Sequence, residues 1–340
     1  MTEVAQRILA NHFPDLGRSL RIHSVGESGF SGAAVFRVLS EAGSFCLKQW
    51  PKNHSEQRLR ELHQLLRHFG ERGLAVVPIP LRSIHGHSVL LIDQRMWQLE
   101  RWMPGTADFW QAPYDDRLRS AFMTLAQWHQ QAATIAYRGE WFRMDVSASV
   151  PTVIDRITGM SRHTNNVIGN IDASLMRETH QSWREYGRLI TTTFRWRSPQ
   201  LLHDLQQATT WRVNLQPVIR DVWHDHVLFT ANEVTGLIDY GAARTDTIAA
   251  DISRLLGSLV GDNIPQRQVA IAAYESIRPL TPTEHQLIPL LDQSNVLLSG
   301  LTWLHRRYVE RVPIEQESRV LSRLQRIAQR LSQWSSPNIL

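Results

Sequence analysis

The first hundred residues alternate short apolar runs with turn residues, a pattern that predicts a strand-rich region. The runs are rich in β-branched and aromatic side chains, as strands are. They occupy residues 21–25, 33–39, 44–50, 88–93 and 96–103. Stretches that contain glycine or proline separate them, so we expect a small antiparallel sheet built from neighbouring strands.

Helical periodicity predicts one helix within this region and a mainly helical remainder. Ser55 is a suitable N-cap for the first helix, whose apolar face carries Leu59, Leu62, Leu65, Leu66 and Phe69. Later helices are predicted at 247–260, 266–276, 282–298 and 316–334. Pro289 lies within the third of these and predicts a kink or a break there. We therefore expect an α+β protein with a strand-rich lobe at 1–103 and a larger, mainly helical lobe at 104–340.

Residues 219–241 predict a tight hairpin with a carboxylate at each open end. The segment reads I-R-D-V-W-H-D-H-V-L-F-T-A-N-E-V-T-G-L-I-D-Y-G, with apolar strands at 227–229 and 234–238. Asp221 precedes the first strand and Asp239 follows the second. Because strand length fixes their separation, both carboxylates can face one cleft. Phosphoryl transfer uses one acid to orient the attacking hydroxyl and another to hold a metal ion.

Composition describes a globular protein and excludes several classes. The chain has 340 residues, of which 42% are hydrophobic and 20% charged, and this length favours two lobes or domains. No apolar run approaches the roughly 18 residues of a membrane span, so no membrane partner is expected. The first thirteen residues form an amphipathic pattern and not a signal peptide. The single cysteine, Cys46, fits a reducing cytoplasm.

The net charge of +5 comes almost wholly from arginine. Only Lys48 and Lys52 are lysines, which leaves 37 − 2 = 35 arginines. Lys48 is therefore notable in so arginine-rich a chain, because a lysine has a compact point charge that a guanidinium does not supply. The excess of basic over acidic residues allows binding of a polyanion, whose affinity would fall steeply as the salt concentration rises. No run of five basic residues occurs, so nucleic acid is not an expected partner.

The hairpin segment resembles the catalytic segment of the aminoglycoside phosphotransferase and choline kinase family, the small-molecule relatives of protein kinases. The family pattern is H-x-D, an Asn five residues after that Asp, and D-[FY]-G about eighteen residues on. Asp221 and Asp239 match in type and spacing, since 239 − 221 = 18. Two positions depart, because Ile219 replaces the His and His226 replaces the metal-binding Asn. The resemblance implies a two-lobed protein-kinase-like fold, with Asp221 as the catalytic residue and Asp239 and His226 at the metal positions.

The same resemblance implies a set of nucleotide-binding residues in the strand-rich lobe. The glycine-rich turn supplies a loop that covers the phosphates, namely Ser28, Gly29, Phe30, Ser31 and Gly32. Lys48 is the implied ligand of the α- and β-phosphates, with Glu61 as its acidic partner and Glu56 as the second choice. The strand containing Glu100 and Trp102 resembles the hinge whose backbone binds the adenine edge. Without the resemblance, the loop is an ordinary turn and either glutamate is a solvated helix position.

Three further residues and one helix receive supporting roles. His129 is interpreted as structural, and Asp251 resembles the aspartate that braces the catalytic loop. Arg220 reaches either a phosphate or only a surface salt bridge. The final segment, 316–334, carries a row of arginines beside a row of apolar residues. We interpret it as a packed terminal helix with a solvated arginine face, in preference to a membrane anchor.

Together these features predict an ATP-dependent phosphotransferase that acts on a hydroxyl group of a small metabolite. The expected metal is Mg²⁺, with Mn²⁺ as an alternative because an imidazole at 226 suits it better. Residues 138–215 contain more arginine than acidic residues, which favours a neutral or anionic metabolite over a polycationic drug. The alternative is a pseudokinase, in which the changes at Ile219 and His226 mark lost catalysis and a binding role.

Overall fold

A five-stranded antiparallel sheet and two helices form the N-terminal lobe. The computed structural model describes residues 2–17, 19–25, 32–52, 54–136, 139–147, 150–314 and 316–334. The strands are β1 (Arg21–Ser24), β2 (Ala34–Ser40), β3 (Gly43–Gln49), β4 (Leu90–Ile92) and β5 (Arg95–Arg101). Their order in the sheet is β1-β2-β3-β5-β4, and every neighbouring pair is antiparallel. All five predicted strands are confirmed, within two residues at each end.

The central strand β3 has side chains on both faces of the sheet, and one of these faces is covered by the first helix. Phe45 and Leu47 are buried, and the first helix, α1 (Thr2–His12), packs Ile8 and Leu9 into the same apolar cluster. Side chains alternate across a strand, so Cys46 and Lys48 point to the opposite face. The second helix, α2 (Glu56–Glu71), begins after Ser55, whose hydroxyl accepts from the Arg58 amide as predicted.

The C-terminal lobe is mainly helical and surrounds three short strands and one hairpin. Its helices are α3 (Asp115–Ala132), α4 (Pro151–Arg162), α5 (Asn165–Arg177), α6 (Gln181–Ala208), α7 (Ile248–Leu259), α8 (Ile264–Glu275), α9 (Pro282–Tyr308) and α10 (Glu317–Ser332). The strands β6 (Asp145–Ser147), β7 (Val213–Val218) and β10 (Arg244–Asp246) form one sheet. None of the helices in the described part of the chain has the length and apolarity needed to cross a bilayer.

The predicted break at Pro289 is wrong. Helix α9 continues past this residue and ends ten residues later than predicted, at Tyr308. Leu287, Ile288 and Leu290 are buried on either side of the proline. We infer that packing of this apolar surface, largely against α7, offsets the backbone hydrogen bond that a proline removes. The strands β6, β7 and β10 were not predicted either.

The hairpin forms as predicted and joins the two lobes. Its strands are β8 (Val227–Thr230) and β9 (Glu233–Leu237). The chain that leaves β5 pairs with β8, because the amide of Thr106 donates to the carbonyl of Phe229 at 3.0 Å and the amide of Phe229 donates back at 2.9 Å. Gly105 has φ +94°, and a Cβ there would lie 2.7 Å from the Phe229 carbonyl oxygen. The connection therefore needs glycine to approach the hairpin so closely.

Candidate active site

The loop that carries Asp221 is held in a strained conformation by a buried carboxylate. Asp251 accepts from the amide of Ile219 at 2.8 Å and from the amide of Arg220 at 2.6 Å. Arg220 itself has φ +66°, which is costly for a residue other than glycine. Asp239 has φ +62° at the other end of the hairpin. Strain therefore accompanies both carboxylates, and Asp251 braces the loop as predicted.

His129 supports this brace from below. Its Nε2 lies 3.0 Å from Asp251, and its Nδ1 lies 2.7 Å from the hydroxyl of Tyr274. The ring is fully buried, and burial lowers its pKa against the opposing effect of Asp251. These contacts confirm a structural role for His129. Arg220 forms salt bridges with Asp155 at 2.6 Å and with the buried Asp246 at 3.3 Å.

Lys48 and Asp239 meet across the cleft between the lobes. The Lys48 Nζ lies 2.8 Å from Asp239 Oδ1. Burial alone lowers the pKa of Lys48, but the carboxylate of Asp239 more than offsets this and raises it. Burial raises the pKa of Asp239, whereas the charge of Lys48 opposes that effect and leaves the pKa at about 2. Both side chains are therefore ionised at neutral pH and hold each other in place.

The predicted pair between Lys48 and Glu61 is wrong. Glu61 is buried, but its carboxylate accepts from the backbone amides of Glu140 at 3.2 Å and Trp141 at 2.9 Å. Two amides from a C-lobe loop thus satisfy this carboxylate, while Asp239 satisfies the lysine. The second choice, Glu56, is also wrong, because it pairs with Arg60 on its own helix at 2.5 Å.

His226 lies beside both Asp221 and Asp239. Its Nδ1 is 2.6 Å from the carbonyl oxygen of Asp221, which can only accept, so Nδ1 carries the proton. The indole N–H of Trp223 donates to Nε2 at 3.0 Å. Nε2 also lies 3.8 Å from Asp239 Oδ2. Nδ1 therefore donates to the Asp221 carbonyl, while Nε2 accepts from Trp223 and lies near Asp239.

A cavity with a volume of about 630 Å³ lies between the lobes. Lys48 and Asp239 line it, together with Glu100, Trp102 and several apolar side chains of both lobes. Among the predicted loop residues, Ser28, Gly29, Phe30 and Ser31 lie outside the described residues. Gly32 is described and has φ +72°, a conformation that favours glycine. We call this cavity the interlobe cleft.

Two predicted hinge residues line the cleft in different ways. Glu100 accepts from the amide nitrogen of the Gln98 side chain at 2.6 Å. Burial raises its pKa to about 7, although Lys48 opposes this shift. The backbone amide of Trp102 donates to the carbonyl of Ser44 at 3.0 Å. That amide is part of the sheet, so it is not the donor that we expected an adenine ring to meet.

The second cavity adjoins the cleft within the C-terminal lobe and has a volume of about 520 Å³. Asp221 lines only this cavity, and its Oδ1 accepts from Arg254 on α7 at 3.1 Å. Four residues line both cavities, namely Trp223, His226, Asp239 and Arg323. The hairpin therefore stands at the junction, with Lys48 on one side and Asp221 on the other. We call this second space the C-lobe cavity.

The terminal helix is packed as predicted and Arg319 and Arg326 are exposed, but its arginine face also borders the two cavities. Arg323 lines both cavities, and Arg326 and Arg330 line the C-lobe cavity. The guanidinium of Arg323 lies 4.3 Å from the ring centroid of Trp223. The regular spacing of these arginines was visible in the sequence, but nothing in it showed that α10 returns to the catalytic loop. Arg254 on α7 and Arg306 on α9 were missed because the sequence does not show that these helices line the same cavity.

Known proteins resemble this chain over most of its length. The family model described as "Phosphotransferase enzyme family" matches residues 24–290. A homoserine kinase of Methylobacterium nodulans is 27% identical over 310 residues, which cover 89% of this chain and 86% of that protein. A homoserine kinase of Parvibaculum lavamentivorans is 23% identical, with coverage of 79% and 76%.

Solved structures share the fold at low sequence identity. Amicoumacin kinase hAmiN, in complex with AMP-PNP, Ca²⁺ and Ami, aligns with a TM-score of 0.64 and 15% identity, covering 96% of this chain and 92% of that chain. The microcompartment-associated aminopropanol kinase aligns with a TM-score of 0.63 and 13% identity, covering 98% and 97%. These alignments confirm the two-lobed, protein-kinase-like fold.

Proposed function

Because the chain belongs to the phosphotransferase enzyme family and is a small-molecule phosphotransferase that acts on a hydroxyl group, we propose that it transfers the γ-phosphoryl group of ATP to a small metabolite. One observation carries this proposal. Lys48 lines only the interlobe cleft, Asp221 lines only the C-lobe cavity, and Asp239 lines both. A nucleotide in the first space and an acceptor in the second would meet at the hairpin.

Asp221 is the proposed catalytic base. The acceptor oxygen forms a bond to the γ-phosphorus while the bond to the bridging oxygen of ADP breaks. The hydroxyl proton passes to Asp221 late in a loose transition state. Arg254 holds this carboxylate at 3.1 Å and fixes its orientation toward the acceptor. The strained loop, pinned by Asp251, supports the same geometry.

Lys48 is proposed to bind the α- and β-phosphates. Without nucleotide its charge is matched by Asp239. Phosphate oxygens offer the same charge-assisted hydrogen bond, so Lys48 can exchange one partner for the other. That exchange releases Asp239 Oδ1 when the nucleotide arrives. We propose that Arg323, which lines both cavities, offsets negative charge on the phosphoryl group in transit.

A divalent metal fits beside Asp239. Asp239 and His226, whose Oδ2 and Nε2 lie 3.8 Å apart, are the residues that would hold it. No group of three or more metal-ligating side chains occurs among the described residues. Phosphate oxygens and water would supply further ligands, as is usual for Mg²⁺. A metal held there would neutralise phosphate charge, and His226 could take part only if Trp223 released Nε2.

The adenine ring is proposed to meet the backbone at the C-terminal end of β5. Hydrogen bonds alternate in direction along an antiparallel ladder. Since the Trp102 amide faces Ser44, the carbonyl of Arg101 and the amide of Met103 face away from β3. Both residues line the cleft. We propose that these two groups contact the adenine ring. We also propose that the boundary between the lobes lies between residues 103 and 104.

The relatives named homoserine kinase support a hydroxyl acceptor in this chain also. They weigh against the pseudokinase alternative, as does the presence of Lys48, Asp221 and Asp239 around one junction. The replacement of the family's His by Ile219 does not remove the support of the loop, because Asp251 accepts directly from the backbone amide of Ile219. The single cysteine and the use of ATP favour the cytoplasm as the place of action.

A thermal-shift titration tests nucleotide binding. Unfolding would be followed with the ATP analogue AMP-PNP in Mg²⁺, in Mn²⁺ and without metal. A nucleotide at about 100 times its Kd stabilises the folded state by about 2.7 kcal/mol, which corresponds to roughly 5–10 °C for lobes of this size. We expect a metal-dependent rise. The absence of a rise with either metal would refute the proposed kinase activity.

A further inference from the structure

The C-lobe cavity is lined by far more positive than negative charge. Five arginines contribute to its wall, from α7, α9 and α10, namely Arg254, Arg306, Arg323, Arg326 and Arg330. The acidic residues in that wall are Asp221 and Asp239. Both acids already have cationic partners, Arg254 and Lys48, at 3.1 and 2.8 Å. An acceptor that enters this space therefore meets an excess of guanidinium groups.

Two of these arginines have no carboxylate partner among the described residues. Arg330 is committed to Asp262 at 2.6 Å and to Asp292 at 2.8 Å. Arg306 and Arg326 instead pack against aromatic rings, and no described carboxylate lies within ion-pair distance of either. A guanidinium has five donors in a fixed fork that matches a carboxylate or a phosphate. Such groups lining a cavity are well placed to bind an anion.

Arg326 is held in position by the wall of the cavity. Its guanidinium carbon lies 3.4 Å from the ring centroid of Trp110. The indole of Trp110 also packs on His224 and donates to the carbonyl of Ser258 at 3.2 Å. Burial lowers the pKa of Arg326, with only partial opposition from Asp225. The guanidinium is stacked on Trp110 and has no ion pair with a described carboxylate, so an anionic ligand would supply its counter-charge.

We propose that the phosphoryl acceptor is an anion, whose carboxylate or phosphate ester binds Arg306 and Arg326 while its hydroxyl group lies at Asp221. This inference rests on the proposed function, since it places the acceptor of that reaction. The volume of about 520 Å³ is that of a small-metabolite site. A cationic alcohol is disfavoured, because both acids in the described wall are already paired with cations.

Binding measurements separate this inference from catalysis. The full chain would be saturated with ADP and Mg²⁺ to fill the interlobe cleft, and then titrated by calorimetry with matched alcohols. One pair is 4-hydroxybutyrate and 4-hydroxybutyramide, and a second is glycerol 3-phosphate and glycerol. We expect the charged member of one pair to bind about 10- to 100-fold more tightly than its neutral partner. The pair that responds distinguishes a carboxylate from a phosphate ester.

Matched variants assign the binding to the two arginines. Arg326→Gln and Arg306→Gln should each remove most of the preference for the charged alcohol and leave AMP-PNP binding unchanged. Arg188→Gln, an exposed arginine on α6 that does not line the cavity, is the control. Arg326 is exposed enough that its replacement should not impair folding.

Two outcomes overturn the inference. The anion site would be refuted if charged and neutral alcohols bound equally, or if none of them bound. It would also be refuted if the preference for the charged alcohol survived both arginine substitutions. Failure of the proposed function looks different. In that case the anions bind and the arginine variants abolish the binding, but AMP-PNP gives no shift and no phosphorylated alcohol forms.

Discussion

The interlobe cleft and the C-lobe cavity meet at the hairpin, yet they differ in charge and in construction. The cleft balances Lys48 against Asp239 and is built from a sheet, a hairpin and mostly apolar walls. The C-lobe cavity is rich in arginine and is built from helices far apart in the sequence. Three of its wall elements, α7, α9 and α10, follow the hairpin along the chain.

This difference shows which parts of the chain supply the residues of each cavity. The junction between the two cavities depends on a few residues at short spacings, such as the two carboxylates of one hairpin. The acceptor side depends on how the last helices return to that hairpin. Substitutions in the two regions should therefore have separable effects on nucleotide binding, acceptor binding and turnover.

The largest expected effect is on turnover, from Asp221→Asn. The substitution keeps the shape of the side chain and removes the proton acceptor, so kcat should fall by about 10²- to 10⁴-fold. AMP-PNP should stabilise the variant as much as the wild type, because Asp221 does not line the cleft. Initial rates and thermal shifts measure the two quantities. Asp15→Asn, an exposed aspartate in the N-terminal lobe, is the control.

The next effect is on the pH dependence of stability, through Glu100. Its pKa rises on folding from 4.5 to about 7, so between these values the folded state binds more protons than the unfolded chain. Stability should fall as pH rises through this window, by at most about 3 kcal/mol, and then level off. Glu100→Gln keeps an acceptor for Gln98 and should remove this slope. Urea unfolding at pH 5 and pH 8 measures it, and equal slopes in both proteins would disprove the assignment.

A third prediction concerns nucleotide affinity. Lys48→Met should weaken AMP-PNP binding by about 10- to 100-fold, since a charge-assisted contact to phosphate is lost. Binding of an anionic alcohol to the C-lobe cavity should persist, because Lys48 does not line it. Calorimetry measures both affinities. Lys52→Met, which removes the only other lysine, should change neither, and a parallel loss of anion binding would show that the two cavities are not independent.

The smallest effect is expected from Glu61→Gln. This change weakens two hydrogen bonds from backbone amides by removing the charge of their acceptor, and should cost about 1 kcal/mol of stability. Nucleotide affinity should be almost unchanged, because Lys48 pairs with Asp239 in this structure. Denaturant unfolding and an AMP-PNP titration measure the two effects. A loss of affinity comparable to that of Lys48→Met would restore Glu61 as the partner of the lysine.

Local patterns in the sequence were sufficient for the sheet and the hairpin, whereas the support residues His129 and Asp251 came from the family resemblance. Alternation on β3 placed Lys48 opposite Phe45 and Leu47, and spacing placed Asp221 and Asp239 at the ends of one hairpin. The partner of Lys48 was not predictable in this way. Glu61 has a suitable position on α2, but the loop at 140–141 captures its carboxylate, and that loop is 79 residues away along the chain.

The arginines that line the C-lobe cavity likewise could not be placed from local sequence patterns. A helix with regularly spaced arginines predicts an amphipathic surface, and a solvated face is the usual consequence. Only tertiary packing decides that Arg323 and Arg326 turn toward Trp223 and Trp110. Likewise, the substitution at position 226 was visible, but the bonds of its ring to Asp221 and Trp223 fix its tautomer only in three dimensions.

The most direct test of the central claim is detection of the transferred phosphoryl group. Anionic, neutral and cationic alcohols would be incubated with ATP, Mg²⁺ or Mn²⁺ and the full chain, and the products identified by mass spectrometry. We expect an anionic alcohol to gain one phosphoryl group with the wild type and not, at a comparable rate, with Asp221→Asn. Phosphorylation of only neutral or cationic alcohols, or an equal rate with the Asp221 variant, would contradict the account.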